Sequence, residues 1–394
     1  MTAHAGNSLA VNNSAVREAS PQKRTRLIAF AILAVFLAVF LVSVWLQGVD
    51  VRVFSKPHFV RQAATFPQTM RTLCLGIFGG KAISAAGGVN EKILQWYLPS
   101  CLSAVLVGAG LSIAGSSFQG LFQNPMASPS LIGVPGASYI GCALGVGLWI
   151  ANPGLSAMPQ ILGFLFGLGG MVLVMFLASR AGRGTVFIVD LLLIGLMLTT
   201  FYQAVVSLMV QGNDLLKVLL SFFQRTSPQA YQFYQDELSS LSTRSLLPES
   251  FKDFGAILWP ILAGVVPLLI IRWRVTALSF GEEEARSVGI NTRFVKVIVI
   301  LCATLITSTV VAFCGMIGWV GLVIPHICRS LVGSDYRRLM PVSVFAGGIF
   351  MLLVNDTLVF VRHTLMFSSI SAICALVGTP VFFYLLGQGR RAWS

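Results

Sequence analysis

The sequence predicts an all-α fold, a polytopic membrane protein with about ten transmembrane helices, each using about 20 apolar residues to cross the hydrocarbon core. Three observations lead there. Of the 394 residues, 56% are hydrophobic and 10% charged, against roughly 25% charged in a soluble domain. The apolar residues fall in long runs broken by short punctuation rich in Arg, Lys, Pro and Gly. Within the runs, small residues recur at four-residue spacing, as Gly108, Ser112 and Ser116 or Gly163 and Gly167, and such faces let helix backbones approach closely.

The net charge of +13 has two ordinary meanings, nucleic acid or membrane. No basic stripe interleaves with aromatics, so nucleic acid is not a partner. Pairs such as Arg180/Arg183, Arg272/Arg274 and Arg337/Arg338 instead punctuate the apolar runs, as the short cytoplasmic loops of a membrane protein do. Membrane lipid is the expected surround. The seven cysteines (Cys74, Cys101, Cys142, Cys302, Cys314, Cys328 and Cys374) form no CxxC pair and no Cys/His cluster, so they read as small core residues, with no metal site and no disulfide.

In chain order, residues 1–26 are a polar cytoplasmic tail carrying Arg17, Lys23, Arg24 and Arg26. No small-residue cleavage site ends the apolar run that follows, so it is an uncleaved first span. Spans are expected at 27–47, 97–120, 131–150, 160–179, 188–210, 255–271, 294–314, 318–332, 341–360 and 370–387, in one domain over 27–394. An inside start puts both termini in the cytoplasm. Sixteen basic residues then fall in inside segments and eleven in the longer outside segments, which agrees with that orientation. Two outer segments, 48–95 and 211–254, are too long for simple turns and are expected to fold onto the outer face.

Four stretches carry the chemistry. Gln119 to Gly133 puts polar groups, prolines and glycines, Asn124-Pro125-Met126 among them, between two apolar runs. Irregular backbone at membrane depth is tolerated inside protein or along a water-filled cavity. In 281–290, Glu282, Glu283 and Glu284 favour the positive end of a short helix and Gly289 ends it, with Ala285 and Val288 on one face at i, i+3. A solvated connector would not need that face, so a partner groove is expected. Next, Gly315, Gly318 and Gly321 break the helical pattern, and Pro325 withholds the hydrogen bond due to the Gly321 carbonyl. His326 and Arg329 share a face there and are assigned no proton chemistry. Finally, Asp356 stands in the apolar ninth span as a helix-end cap or buried hydrogen bond, with a proton relay as the alternative. There is no GxxxxGK[ST], HExxH or GxSxG motif, so no catalytic residue is assigned and any nucleotide energy comes from another chain.

Together, Leu106-Val107-Gly108-Ala109, Asn124-Pro125-Met126-Ala127, Gly281–Gly289, Gly318-Trp319-Val320-Gly321-Leu322-Val323-Ile324-Pro325-His326, Asn355-Asp356-Thr357 and Gly378-Thr379-Pro380 resemble the permease subunits of bacterial ABC importers for iron-siderophores, haem and cobalamin, the FecCD type. The resemblance implies a bacterial inner-membrane subunit working by alternating access. Its implied partners are a second permease subunit (a copy or a relative), two ATP-binding subunits that hold ATP and Mg, and an extracytoplasmic substrate-binding protein. It implies no cofactor on this chain. Gly281, Glu282, Glu284, Ala285, Arg286 and Gly289 match the coupling helix that enters the ATPase, and Asn124, Pro125 and Met126 match the inner gate. Gly318, Gly321, Pro325, His326 and Asp356 are structural or pathway residues. The chain departs from the family pattern at Tyr97-Leu98-Pro99-Ser100, where two docking arginines are usual, at Phe360, and at Ser369-Ile370-Ser371. Two other readings are a proton-driven secondary transporter using Asp356 or Asp190, and a membrane scaffold that transports nothing.

Overall fold

Twenty-four residues from Leu98 to Leu121, with no acidic or basic side chain among them, form a helix about 36 Å long at 1.5 Å per residue. This helix, α2, is the centre of the computed structural model, and nearly all of it is buried against other helices. The structure describes residues 21–48, 98–181, 188–211, Gln232, Tyr234, Asp236, 251–365 and 369–388. Most of the expected outer segments 48–95 and 211–254 lies outside the described residues.

The remaining helices are α1 (Pro21–Gly48), α3 (Val134–Ala151), α4 (Met158–Ala181), α5 (Ile188–Gln211), α6 (Phe251–Leu278), α7 (Glu282–Ser287), α8 (Thr292–Cys314), α9 (Val320–Val332), α10 (Tyr336–Leu365) and α11 (Ile370–Gln388). No strand occurs among the described residues. Six helices, α2, α4, α5, α6, α8 and α10, are long and apolar enough to cross a membrane, and four shorter apolar helices lie in α1, α3, α9 and α11. Of these four, α9 has 13 residues, about 20 Å, and falls short of a full crossing by itself.

Helix ends differ from the apolar runs in a consistent way. The first helix begins at Pro21, inside the expected tail; α6 continues through Arg272 and Arg274 to Leu278; α10 begins at Tyr336, ahead of Pro341. The charged ends remain helical because Arg and Lys reach the interface along their aliphatic stems while the backbone keeps its hydrogen bonds. Arg274 shows this, lying over the rings of Trp273 and Phe294 at 5.4 and 6.0 Å.

Glycine sets the closest packing. A methyl group on Gly108 would lie 2.1 Å from the Gly347 carbonyl oxygen, so α2 and α10 cross with backbones touching. Ser112, one turn on, abuts Gly347 as well. Gly163 and Gly167 of α4 sit against Cys142 and Ser138 of α3. No disulfide joins the six described cysteines, and Cys74 lies outside the described residues. From the second outer segment, Tyr234 is buried and donates a hydrogen bond to the Ala143 carbonyl at 2.9 Å.

Candidate functional site

The six residues of α7 form because Gly281 starts them. Its φ of 141° turns the chain sharply out of α6, and a side chain there would collide with the Glu284 carboxylate. The Ala285 amide donates to the Gly281 carbonyl at 3.1 Å, the Ile290 amide to the Ala285 carbonyl at 3.0 Å, and Gly289 closes the turn at φ 81°. Two links fix α7 to α8: Glu282 pairs with Lys296, and Arg286, itself paired with Glu282 at 3.4 Å within α7, donates from Nε to Thr292 Oγ1 at 3.3 Å. Asn291 caps α8 by accepting the Phe294 amide at 3.0 Å.

This geometry corrects one expectation. Ala285 does not share an outward face with Val288, because Ala285 is fully buried in the chain's own core while Val288 is 67% exposed. A helix of fewer than two turns, held at both ends, must turn one side to its own domain, and Ala285 is on that side. Glu283, Glu284, Arg286, Ser287 and Val288 are all exposed, and Arg286 is the one among them that also ties α7 to α8.

The turn after α2 is a hydrogen-bonded knuckle. The Asn124 amide donates to the Gln119 carbonyl at 3.1 Å, Asn124 Oδ1 accepts the Met126 amide at 2.8 Å, and the Ala127 amide donates to the Asn124 carbonyl at 3.1 Å. Pro125 has no amide to satisfy at the tip. Met126 points outward, and Ala127, Ser128 and Pro129 are buried behind it. Gln123, in left-handed backbone at φ 50°, reaches away from the knuckle and donates from Nε2 to the Leu278 carbonyl at the end of α6, 3.1 Å away.

The break before α9 fits against that knuckle. Gly315 (φ 76°) ends α8, and Trp319 (φ 69°) starts α9 while packing on Gly378 of α11. Gly318 stands in open space. A methyl group on Gly321 would be 3.0 Å from Ser128 Oγ, so Gly321 brings α9 onto the buried part of the 122–133 turn. Pro325 is buried one turn further on. Gln119 donates to the Leu322 carbonyl at 3.3 Å and accepts from Arg329 at 3.0 Å, and Arg329 also donates to Tyr336 Oη at 2.9 Å. His326, half-buried, lies one turn from Arg329.

Asp356 belongs to a different place. It is in the last third of α10, about 30 Å along the helix from Tyr336 at 1.5 Å per residue. It is not at a helix end, because α10 continues to Leu365; its Oδ2 accepts a hydrogen bond from Ser43 Oγ of α1 at 2.5 Å. The neighbouring Asn355 is fully buried and donates to Ser100 Oγ at 3.3 Å. Ser100, one of the positions where the chain departs from the family pattern, thus faces the interior. Among the described residues no cluster of three or more His, Cys, Asp or Glu could hold a metal ion.

The expected coupling and gate residues therefore meet at one end of the bundle through the Gln123–Leu278 bond, Gly321 brings α9 against the same turn, and Gly318, beyond the far end of α8, and Asp356 lie apart. Residue-by-residue reading does not single out Gln119, Gln123, Lys296 or Ser43. Gln119 had a signal, a long polar side chain in the last turn of an otherwise apolar helix; Ser43 had none.

The FecCD transport family is matched by residues 30–388. The chain belongs to that family. This FecCD-family chain is 31% identical to the molybdate import system permease protein MolB of Haemophilus influenzae, the match covering 77% of this chain and 82% of that protein. It is also 31% identical to the iron-uptake system permease protein FeuB of Bacillus subtilis (76% and 83% covered) and 30% identical to the Fe(3+) dicitrate transport system permease protein FecD of Escherichia coli (76% and 86% covered). A solved structure described as an inward-facing conformation of a metal-chelate type ABC transporter matches with a TM-score of 0.63 at 26% identity, covering 92% of this chain and 99% of that one. The chain is a multi-pass helical membrane protein of an ABC transporter permease family, whose members are not themselves enzymes.

Proposed function

We propose that this chain is the membrane-spanning permease subunit of an ATP-driven importer for a metal chelate, with iron-siderophore favoured over haem and cobalamin. It lies in the bacterial inner membrane with both termini in the cytoplasm. A second permease subunit completes the path, two ATP-binding subunits carry ATP and Mg on the cytoplasmic side, and a substrate-binding protein delivers cargo outside. This chain holds no cofactor.

One observation carries the reading: α7, which sets only Ala285 into the core, is locked to α8 by two side-chain links and presents Glu283, Glu284 and Val288 outward. A contact that transmits force from another subunit needs that combination of rigid seat and open face. In the proposed cycle, closure of the ATPase pair pushes α7, and α6 and α8 carry the motion to the 122–133 turn, where Asn124, Pro125 and Met126 line the inner gate. The path then opens to one side at a time. No covalent step falls to this chain.

The test is co-purification from the native membrane, comparing wild type with Glu284→Arg. An ATPase that accompanies wild type and is lost with the variant, while the chain stays monodisperse, supports the importer. An intact wild-type chain without an ATPase under mild conditions overturns it.

A further inference from the structure

We infer that Gln123 is a positioning residue that ties the inner-gate turn to the coupling helix; the inference rests on the importer reading above. Gln123 is the last residue before the Asn124-Pro125-Met126 tip. Its Nε2 donates to the Leu278 carbonyl at 3.1 Å. Leu278 closes α6, and three residues later Gly281 opens α7. The Gly281 amide in turn donates to that same Leu278 carbonyl at 3.2 Å. One carbonyl oxygen therefore accepts both the amide that begins the coupling turn and the side chain that begins the gate turn. Carbonyl oxygen has two lone pairs, so both bonds are held at once.

Backbone geometry points the same way. Gln123 is at φ 50°, one of two non-glycine residues with positive φ among the described residues. Glycine or asparagine adopts this conformation at lower cost. Neither could make the bond: glycine has no side chain and asparagine is one methylene shorter. Glutamine's reach offsets its backbone cost. Beyond Gln123 the linkage continues, since the Asn124 amide is held by the Gln119 carbonyl and the Gln119 side chain bridges Leu322 and Arg329 of α9. A displacement of α7 thus has a direct hydrogen-bonded route to the gate tip that bypasses the packed core.

Amide exchange can read this without knowing the cargo. The reporters are the amides of Asn124, Met126 and Ala127, each hydrogen-bonded within the knuckle, and the amides of 282–290 in and after α7. The full complex, trapped with ATP and vanadate, is compared with the nucleotide-free complex by hydrogen–deuterium exchange mass spectrometry. In wild type both regions respond to trapping. In Gln123→Leu and Gln123→Asn the α7 response persists, while the response of 124–127 falls about fivefold, the change that loss of one neutral hydrogen bond gives. Gln123→Lys, which keeps a long donor, restores it. Retention of the full 124–127 response in Gln123→Leu overturns the positioning role, as does equal loss in both regions without rescue by lysine. Absence of any α7 response in wild type overturns the importer reading itself, a separate failure.

Discussion

The carbonyl of Gly321 lies against the Cα of Gly115, so close that a methyl group on Gly115 would be 1.7 Å from that oxygen. This is the carbonyl whose helical donor would be the amide of residue 325, a proline. The carbonyl freed of its normal partner thus meets the one residue type that lets a neighbouring helix come near enough to shield it, with a Cα–H···O contact as a weak substitute.

Replacing Gly115 with Ala forces α9 away from α2 beside the 122–133 turn. The expected outcome is a loss of about 1–3 kcal/mol, the usual cost of overpacking, seen as a lower midpoint for thermal unfolding in detergent. Gly169→Ala is the control, because nothing lies within 4 Å of that position in the helix interior, and it should leave the midpoint unchanged or slightly raised. Equal midpoints for the two variants would refute the close crossing.

Arg329→Met leaves Gln119 Oε1 and Tyr336 Oη without their charged donor. Hydrogen bonds to charged groups contribute about 1.5–3 kcal/mol each, so the variant should be less stable. Its 122–133 turn should also be cut faster by protease under native conditions. Arg329→Lys, with no planar fork to hold two acceptors in fixed geometry, should recover only part of the loss.

The two faces of α7 should separate in a substitution pair. Ala285→Leu adds volume at a fully buried site and should lift α7 from α8, lowering stability by about 1–3 kcal/mol and releasing the ATPase on purification. Val288→Ala should keep stability within about 0.5 kcal/mol, as surface changes do, and still weaken ATPase retention. Unchanged retention in both variants would mean that α7 is not the contact.

At the other end of α10, Asp356→Asn preserves an acceptor for Ser43 while removing the titrating group. ATP-dependent uptake in vesicles should stay near wild type. Abolished uptake in a stably folded Asp356→Asn chain would instead favour the proton-driven reading.

Most helices were legible because apolar length is a local property. The expected 97–120 and 188–210 are Leu98–Leu121 and Ile188–Gln211. Helix ends are less legible than apolar runs where charge punctuates them: Arg272, Arg274 and Arg337 stand on helices, since a basic side chain can leave the membrane without its backbone losing helical hydrogen bonds. The short helix α7 is legible from Glu282 to Gly289, but the direction Ala285 faces is not, because that depends on where α8 lies. The Gln119–Arg329 and Ser43–Asp356 pairs were invisible for the same reason: residues 210 and 313 positions apart meet only once the bundle is assembled.

The glycine crossings have a mechanical consequence. Between α2 and α10 at Gly108–Gly347, and between α2 and α9 at Gly115–Gly321, no side chain stands between the backbones to swing aside as one helix slides over the other. Sliding one of these helices over another would drive backbone into backbone, so the three are keyed together like interlocked teeth, and slip is easier at seams cushioned by longer side chains.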